Sequence, residues 1–332
     1  MDGYIHGGFL KTEYYDHSVN INPLGMPENV KEAVKAAAED CEAYPEYDSH
    51  TLRQTIAEKE GVQSDNIVCG NGVSELIMAV VNAIGPGNAA ILKPTFSGYK
   101  RALKTVGARI SEYNDIHEMT EKVTDKVDII FICNPNNPTG EYIPKEDIRK
   151  LLKKVPAGAM VVTDESFLDF TDRASTVDMI VSYVNLIVLK AFTKFHSMAG
   201  VRLGYMCADK QVCERVRSHL PEWNVSLIAQ KAGIAALRDV DRKRKTNETV
   251  SAERAFLTEE LKKRGLWVSD SETNFVLVRY EKGGLAEAFA ERGISVRDCS
   301  DFSGLDKRFI RVSVGMHEDN ERLIGVLDNI IS

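Results

Sequence analysis

Leu189-Lys190-Ala191-Phe192-Thr193-Lys194-Phe195-His196-Ser197-Met198-Ala199-Gly200-Val201-Arg202-Leu203-Gly204-Tyr205 is the stretch on which the rest of the chain is read. An apolar run at 185–189 leads into it and reads as a buried strand; a second apolar run, 201–206, comes after it. Between them lie two lysines, an Ala-Gly break and an arginine eight positions beyond the second lysine. Lysine is seldom buried without a partner, so a lysine loop between buried strands points to chemistry. An amine forms a Schiff base with an aldehyde, and a guanidinium holds an anionic group by paired hydrogen bonds. A ligand that carries both an aldehyde and an anion would use both residues.

Outward from this loop, composition sets the frame. The 332 residues are long enough for one large and one small domain with a sizeable core. Hydrophobic residues make up 43% and charged residues 27%, as in an ordinary soluble globular protein. The net charge of -7 argues against a nucleic-acid partner, which demands a basic face. Six cysteines form no CxxC and no zinc spacing, so no metal site is expected, and buried thiols in a reducing cytoplasm are. The first residues lack a basic segment followed by an apolar one, so no signal peptide is expected. No apolar run approaches the roughly 20 residues of a membrane span.

Along the chain, a polar segment rich in Gly and Pro (6–25) precedes a helix expected at 27–40 and another at 50–60, closed by Gly61. Short apolar runs then alternate with amphipathic helices. Strands are expected at 66–69, 89–92, 128–133, 159–164 and 185–189, with helices at 73–84, 99–106 and 145–154. That alternation predicts an α/β fold with a mostly parallel sheet between helical layers. One long charged helical region is expected from 226 to about 264. A second alternation at 267–332 predicts a smaller C-terminal α/β domain.

Several motifs sit at strand ends, and each has a plain structural reading beside a chemical one. Gly70-Asn71-Gly72-Val73-Ser74-Glu75 joins a strand to a helix N-terminus and is either a tight turn or an anion cradle. Phe96, after Pro94-Thr95, is either core or ligand contact. Asn134-Pro135-Asn136-Asn137-Pro138-Thr139-Gly140 breaks the chain just beyond a strand's carboxyl end, where open α/β sheets bind ligands. Asp164 ends a β-branched run, as a cap or as a charge partner. Lys190 and Lys194 both qualify as the reactive amine.

The lysine loop resembles that of fold-type I pyridoxal-phosphate (PLP) enzymes, and the resemblance extends over nearly the whole chain. The chain looks most like the threonine-phosphate decarboxylases of cobamide synthesis, and next like the histidinol-phosphate aminotransferases. The resemblance implies a PLP cofactor, which has the aldehyde and the anion together. It implies a three-layer α/β/α large domain at 27–235, a small domain at 236–332 and an N-terminal arm at 1–26. It selects Lys194 as the Schiff-base lysine because Arg202 lies at the family spacing beyond it, and leaves Lys190 as a solvated or strand-end lysine.

By the same resemblance Asp164 pairs with the pyridine nitrogen, and Asn137 reaches the phenolic oxygen. Phe96 stacks on the ring. Gly72, Val73 and Ser74 donate to the phosphate, joined by Thr193 and Arg202. Ala191 stands where a hydroxyl commonly sits. Tyr44, before Pro45, reaches the phosphate of the other subunit and so implies a homodimer. Arg311 clamps a substrate carboxylate, Arg297 a distal phosphate. The arm, with His6-Gly7-Gly8 and Asn20-Ile21-Asn22-Pro23-Leu24-Gly25, contributes His6 and Asn20 to the substrate pocket.

The expectation is therefore a cytoplasmic PLP enzyme acting on a phosphorylated amino acid, first a decarboxylase of O-phospho-L-threonine. Phe167, where many relatives have tyrosine, favours that branch. A histidinol-phosphate-type or aromatic aminotransferase is the alternative, and a non-catalytic dimer that keeps only the fold is a third reading. A dinucleotide-dependent dehydrogenase is excluded, since no GxGxxG with its following acid occurs.

Overall fold

The structure, a computed structural model, describes residues 15–332. In chain order these form β1 (Tyr15–His17), α1 (Glu28–Glu39), α2 (His50–Glu60), β2 (Ile67–Gly70), α3 (Val73–Ile84), β3 (Asn88–Leu92), α4 (Ser97–Thr105), β4 (Arg109–Tyr113) and α5 (Ile116–Lys122). Then come β5 (Ile129–Cys133), α6 (Lys145–Lys154), β6 (Met160–Asp164), β7 (Leu186–Ala191), β8 (Gly204–Ala208), α7 (Lys210–Arg217), α8 (Leu227–Leu237) and α9 (Arg242–Lys263). The last part runs β9 (Trp267–Val268), β10 (Phe275–Arg279), α10 (Leu285–Ala290), β11 (Ile294–Asp298), β12 (Phe309–Ser313) and α11 (His317–Ile331).

Among these residues the strands make two sheets. The larger has the order β2-β8-β7-β6-β5-β3-β4, parallel except for β8, which runs against both neighbours. Its apolar runs look continuous because both faces are covered. Ile130, Ile132, Val161 and Val188 face one core; Ile129, Phe131, Val162 and Ile187 face the other. This period-2 alternation within an unbroken apolar run is what a doubly covered strand requires. Each such side chain, fully buried, contributes roughly 1.5–3 kcal/mol. The helices start and stop on local signals. Gly72 (φ 80) precedes α3, Gly85 (φ 60) ends it, and Asp115 caps α5 by accepting from the N–H groups of His117 and Glu118.

The smaller sheet has the order β1-β11-β12-β10-β9, with β1 parallel to β11. Thus residues 15–17, near the start of the chain, pair with Ile294–Val296 near its end. A separate core of Val276, Val278, Ile310, Val312, Leu323 and Leu327 lies beneath this sheet. No helix among the described residues is long and apolar enough to cross a membrane.

The fold class stands as expected, and three details differ. The helical region after 225 is two helices, broken at 238–241. The break turns Arg242 inward, where its Nη2 donates to Gly25 O (2.5 Å). The strand expected from the 201–206 run is β8 at Gly204–Ala208, since residues 201–203 still belong to the loop. Strands β1 and β4 and helices α5 and α7 have no counterpart in the reading of the sequence. β4 is an edge strand with no buried residue, so it lacks the apolar run that marks the others.

Candidate active site

Parallel strands β5, β6 and β7 end at one edge of the large sheet, with Cys133 opposite Asp164 and Asp164 opposite Leu189. Three segments therefore converge at that edge: the Asn-Pro loop, Asp164 itself and the lysine loop. A cavity of about 280 Å³ opens there. It is lined by Asn20, Val73, Ser74, Phe96, Asn137, Asp164, Thr193, Lys194, Arg202, Arg297 and Arg311 among the expected residues. Ser18, Ser97, Ser166, Phe167 and Phe302 complete much of the wall.

Lys194 is half-buried, and no hydrogen bond or ion pair holds its Nζ among the described residues. Burial, then the charges of Arg311 and Arg202, bring its pKa down to about 8. An amine depressed in this way is a better nucleophile near neutral pH. Its loop holds two non-glycine residues in left-handed backbone, Ser197 (φ 54) and Arg202 (φ 62). Such residues cost about 1–3 kcal/mol each and persist only where surrounding contacts enforce them. Around Ser197 the contacts come from the segment before α1, and Arg202 Nη1 donates to Ala199 O within the loop (3.1 Å). Asn22 N–H donates to Lys194 O (3.1 Å), the Asn22 amide donates to Phe195 O (2.8 Å), and Ser197 Oγ donates to Asn22 O (3.2 Å).

Asp164 is buried, and burial raises its pKa against the opposing hydrogen bonds. Ser166 donates through its N–H (3.0 Å) and Oγ (2.5 Å) to Oδ1, and Tyr99 Oη donates to Oδ2 (2.7 Å). Three donors favour the ionised carboxylate. Tyr99 is itself fully buried and stacked on Phe131 at 4.9 Å. Asp164 thus makes a local turn contact with Ser166 and still faces the cavity.

The candidate anion cradle is the turn at the N-terminus of α3. Gly72 contributes space rather than a donor, because its N–H is committed to Gly70 O (2.7 Å). A Cβ at Gly72 would stand 2.6 Å from Arg202 Nη2, so only glycine lets that guanidinium lie over the turn. Val73 and Ser74, at the first helical positions, carry N–H groups that lack an intrahelical acceptor. Glu75 caps the turn from behind by accepting from Asn71 N–H (2.6 Å).

Arg311 is buried, its pKa lowered to about 10, chiefly by burial. Its Nη1 donates to Asn137 Oδ1 (2.5 Å) and its Nη2 to Ser18 O (2.7 Å). Buried Nε of Arg311 and Oδ1 of Asn20 have no hydrogen-bond partner among the described residues, two polar atoms that suit a ligand. Arg297 lies opposite Arg311 in the β11–β12 register and is buried too.

Tyr44 stands away from the cavity, and Lys190, the lysine set aside in favour of Lys194, lies at the end of β7. Tyr44 is 80% exposed and packs on Trp223 (4.8 Å between ring centroids), away from this chain's own cavity. His6 lies outside the described residues. Lys190 is not solvated: it is buried, with Nζ 2.9 Å from Glu60 Oε2 and 3.9 Å from Glu165 Oε2, on the sheet face away from the cavity. Burial lowers its pKa, but the charges of Glu165 and Glu60 outweigh that and raise it. Asn22 and Tyr99 support the site without any mark in the sequence. Nothing local signals the partner of a hydroxyl or amide that lies 65 or more residues away.

The comparisons with known proteins agree with this geometry. The profile of the aminotransferase class I and II family matches residues 13–327. A relative named histidinol-phosphate aminotransferase 2, from Archaeoglobus fulgidus, is 34% identical over 97% of this chain and 94% of its own. The structure of the histidinol-phosphate aminotransferase from Clostridium acetobutylicum is 30% identical, covers 95% of this chain and 98% of its own, and has a TM-score of 0.89. The structure of an L-threonine-O-3-phosphate decarboxylase from Porphyromonas gingivalis is 25% identical, covers 95% and 99%, and has a TM-score of 0.88. With its lysine loop, its anion cradle and its buried carboxylate on this fold, the chain belongs to the class I and II aminotransferase family and is a fold-type I, pyridoxal-phosphate-dependent enzyme.

Proposed function

We propose that the chain decarboxylates an α-amino acid with a distal phosphate, O-phospho-L-threonine or a close analogue. The observation that carries this reading is the pair Arg297 and Arg311, opposite each other in register, both buried, both lining the cavity that holds Lys194. Arg311 has only uncharged acceptors and Arg297 has the partly exposed Asp301, so the two guanidiniums suit a substrate that carries two anionic groups. A phosphoamino acid has a carboxylate for Arg311 and a phosphate for Arg297, whereas histidinol phosphate has only the phosphate. Asn20 Oδ1 and, in the arm, His6 are the further substrate contacts of this reading.

In this scheme Lys194 would hold the cofactor through its amine and would move protons at the substrate's α-carbon. Bound pyridoxal phosphate supplies an electron sink for the carbanion left at the substrate's α-carbon. Asp164, oriented by Ser166 and Tyr99, would hold a proton on the pyridine nitrogen. Asn137 uses its Oδ1 for Arg311, leaving its NH2 for the phenolic oxygen. Val73, Ser74, Thr193 and Arg202 hold the phosphate, and Phe96 covers the ring. Tyr44, exposed on this chain, serves the partner's phosphate in a homodimer. Residues 1–26 act as an arm, 27–235 carry the cofactor, and 236–332 carry the substrate arginines. A cytoplasmic location fits the six free thiols, five of them buried.

The second reading is a histidinol-phosphate-type aminotransferase, supported by the names of the 34% and 30% identical relatives. Incubating the PLP-loaded enzyme with O-phospho-L-threonine and no keto acid separates the two. Release of CO2 with an equal amount of aminopropanol phosphate is the expected result. No CO2, with amino transfer from histidinol phosphate to a keto acid, would replace the first reading by the second.

A further inference from the structure

Arg297 on β11 is ion-paired with Asp301 in the β11–β12 connection, a contact to which the proposed reaction gives no role. Arg297 Nη2 donates to both carboxylate oxygens of Asp301, at 2.9 and 2.6 Å. Its Nη1 donates to Asp298 O (2.5 Å), and its guanidinium carbon stands 5.3 Å from the centre of the Phe302 ring. The Arg297 side chain is 6% exposed; that of Asp301 is 32% exposed. Arg311, by contrast, is held by an amide oxygen and a peptide carbonyl, both uncharged.

This asymmetry has a physical meaning. A buried guanidinium without a counter-charge is unfavourable, and Asp301 supplies the counter-charge from within the chain. A phosphate dianion approaching the same guanidinium meets a carboxylate already forked on it, and two anions on one cation repel. One of them must leave, and Asp301 is the one that can. It reaches water, and a carboxylate is well solvated there, whereas Arg297 cannot leave its buried strand. The movement has a natural limit. Ser303 Oγ donates to Glu112 Oε2 on β4 (3.1 Å), and Glu112 pairs with Lys100 (2.7 Å), so the connection is fastened to the large sheet just beyond Asp301.

We propose that Asp301 is a displaceable counter-ion: it occupies Arg297 until a dianionic distal group of the substrate replaces it, and so it sets the charge that the distal pocket accepts. A dianion gains more from Arg297 than the carboxylate does and displaces it. A neutral or singly charged group does not, and meets a site already satisfied. The carboxylate position at Arg311 has no such competitor. This inference rests on the assignment of the distal phosphate to Arg297.

The test compares holoenzyme of the wild type, Asp301→Asn, Asp301→Glu, Arg297→Gln and the double variant Arg297→Gln/Asp301→Asn. Asparagine keeps an acceptor for Arg297, and melting curves with cofactor content establish that each variant is folded and loaded. Calorimetric titration with inorganic phosphate at fixed pH and ionic strength is the direct readout, because the cofactor fills its own phosphate cradle. Asp301→Asn is expected to bind phosphate at least about ten-fold more tightly than wild type, since a like charge has been removed. Asp301→Glu is expected to stay near wild type, and the double variant to show no gain. Equal or weaker binding by Asp301→Asn, the same gain in Asp301→Glu, or a gain that survives in the double variant would overturn the proposal. Turnover of a phosphorylated substrate with a KM unchanged by Asp301→Asn would sink the counter-ion and leave the functional reading intact. The expected phosphate binding with no turnover of any phosphorylated substrate would uphold the counter-ion and sink that reading.

Discussion

The backbone N–H of Asn22 donates to the carbonyl oxygen of Lys194 at 3.1 Å, fastening the N-terminal arm to the reactive loop. The Asn22 side chain adds bonds to Phe195 O (2.8 Å) and Thr246 Oγ1 (2.9 Å). All of this is buried. Asn22→Ala would remove the amide donor to the buried Thr246 hydroxyl and leave Phe195 O with only Arg242 Nη2 (3.3 Å), at a cost of about 1–3 kcal/mol. The expected outcome is a lower denaturant midpoint together with weaker cofactor retention, read by absorbance during dialysis. An unchanged midpoint would show that the arm does not brace the loop.

Lys194 should make the cofactor's attachment pH-dependent. With its pKa at about 8 instead of 10.5, the amine is neutral at pH 7 roughly two orders of magnitude more often than a free lysine. Reconstitution of apoenzyme with pyridoxal phosphate is expected to quicken as pH rises to about 8 and then level off. Lys194→Ala should show no borohydride-stable label and lose activity by about 10²–10⁴-fold or more. Retention of a label in that variant would move the assignment to another lysine.

Tyr44 faces away from its own cavity, so its contribution can be tested between subunits. Tyr44→Phe and Lys194→Ala are each expected to be weak or inactive alone. A hybrid of the two has one cavity with both groups intact, so mixing after dissociation should restore activity. Mixing that restores none would place Tyr44 outside the partner's site.

The buried cluster behind the lysine loop should matter to stability rather than to chemistry. Lys190→Met would leave Glu60 and Glu165 buried without their cation, at a cost of about 3–5 kcal/mol. Pairing it with Glu60→Gln should recover part of that loss in the same unfolding experiment. A Lys190→Met melting curve matching wild type would contradict the geometry.

His196 gives the fold an acid limit. Burial, against the opposing charge of Asp169, lowers its pKa to about 4. Between pH 6.5 and about 4 the unfolded chain takes up a proton that the folded chain refuses, so stability falls as pH falls through that window. The full difference is on the order of 3 kcal/mol. His17, also lowered by burial, acts in the same direction. His196→Phe, among the aromatic neighbours Phe192 and Phe195, is expected to flatten this part of the stability profile.

How much of the site is legible in the sequence depends on how local each signal is. Asp164 and Asn137 are legible because each ends or follows an apolar strand run, and a parallel sheet brings such ends together. Lys194 needs Arg202 eight residues on, still a local pattern. Lys190 misleads because its partners, Glu60 and Glu165, lie on other elements. Gly72 is placed correctly in the turn, yet its role is the room it leaves for Arg202, which spacing does not reveal. Tyr99 and Asn22 go unread because a hydrogen bond between distant residues leaves no periodic trace. β4 is invisible for the opposite reason: an exposed edge strand has no apolar period to detect.

The pairing of β1 with β11, and of Ser18 O with Arg311, also bears on how the protein is made. Domains form in order as a chain is synthesised, N-terminal part first. Here the large sheet can assemble early, but residues 15–17 wait for a strand partner almost 280 residues downstream. Arg311 and Asn137 meet only after β12 has emerged. A ribosome that stalls before that point would therefore leave a nascent chain with its lysine loop in place and without Arg311. A cavity with Arg311 in its wall accordingly forms only once synthesis has passed β12, and a reporter of cofactor loading would mark that point.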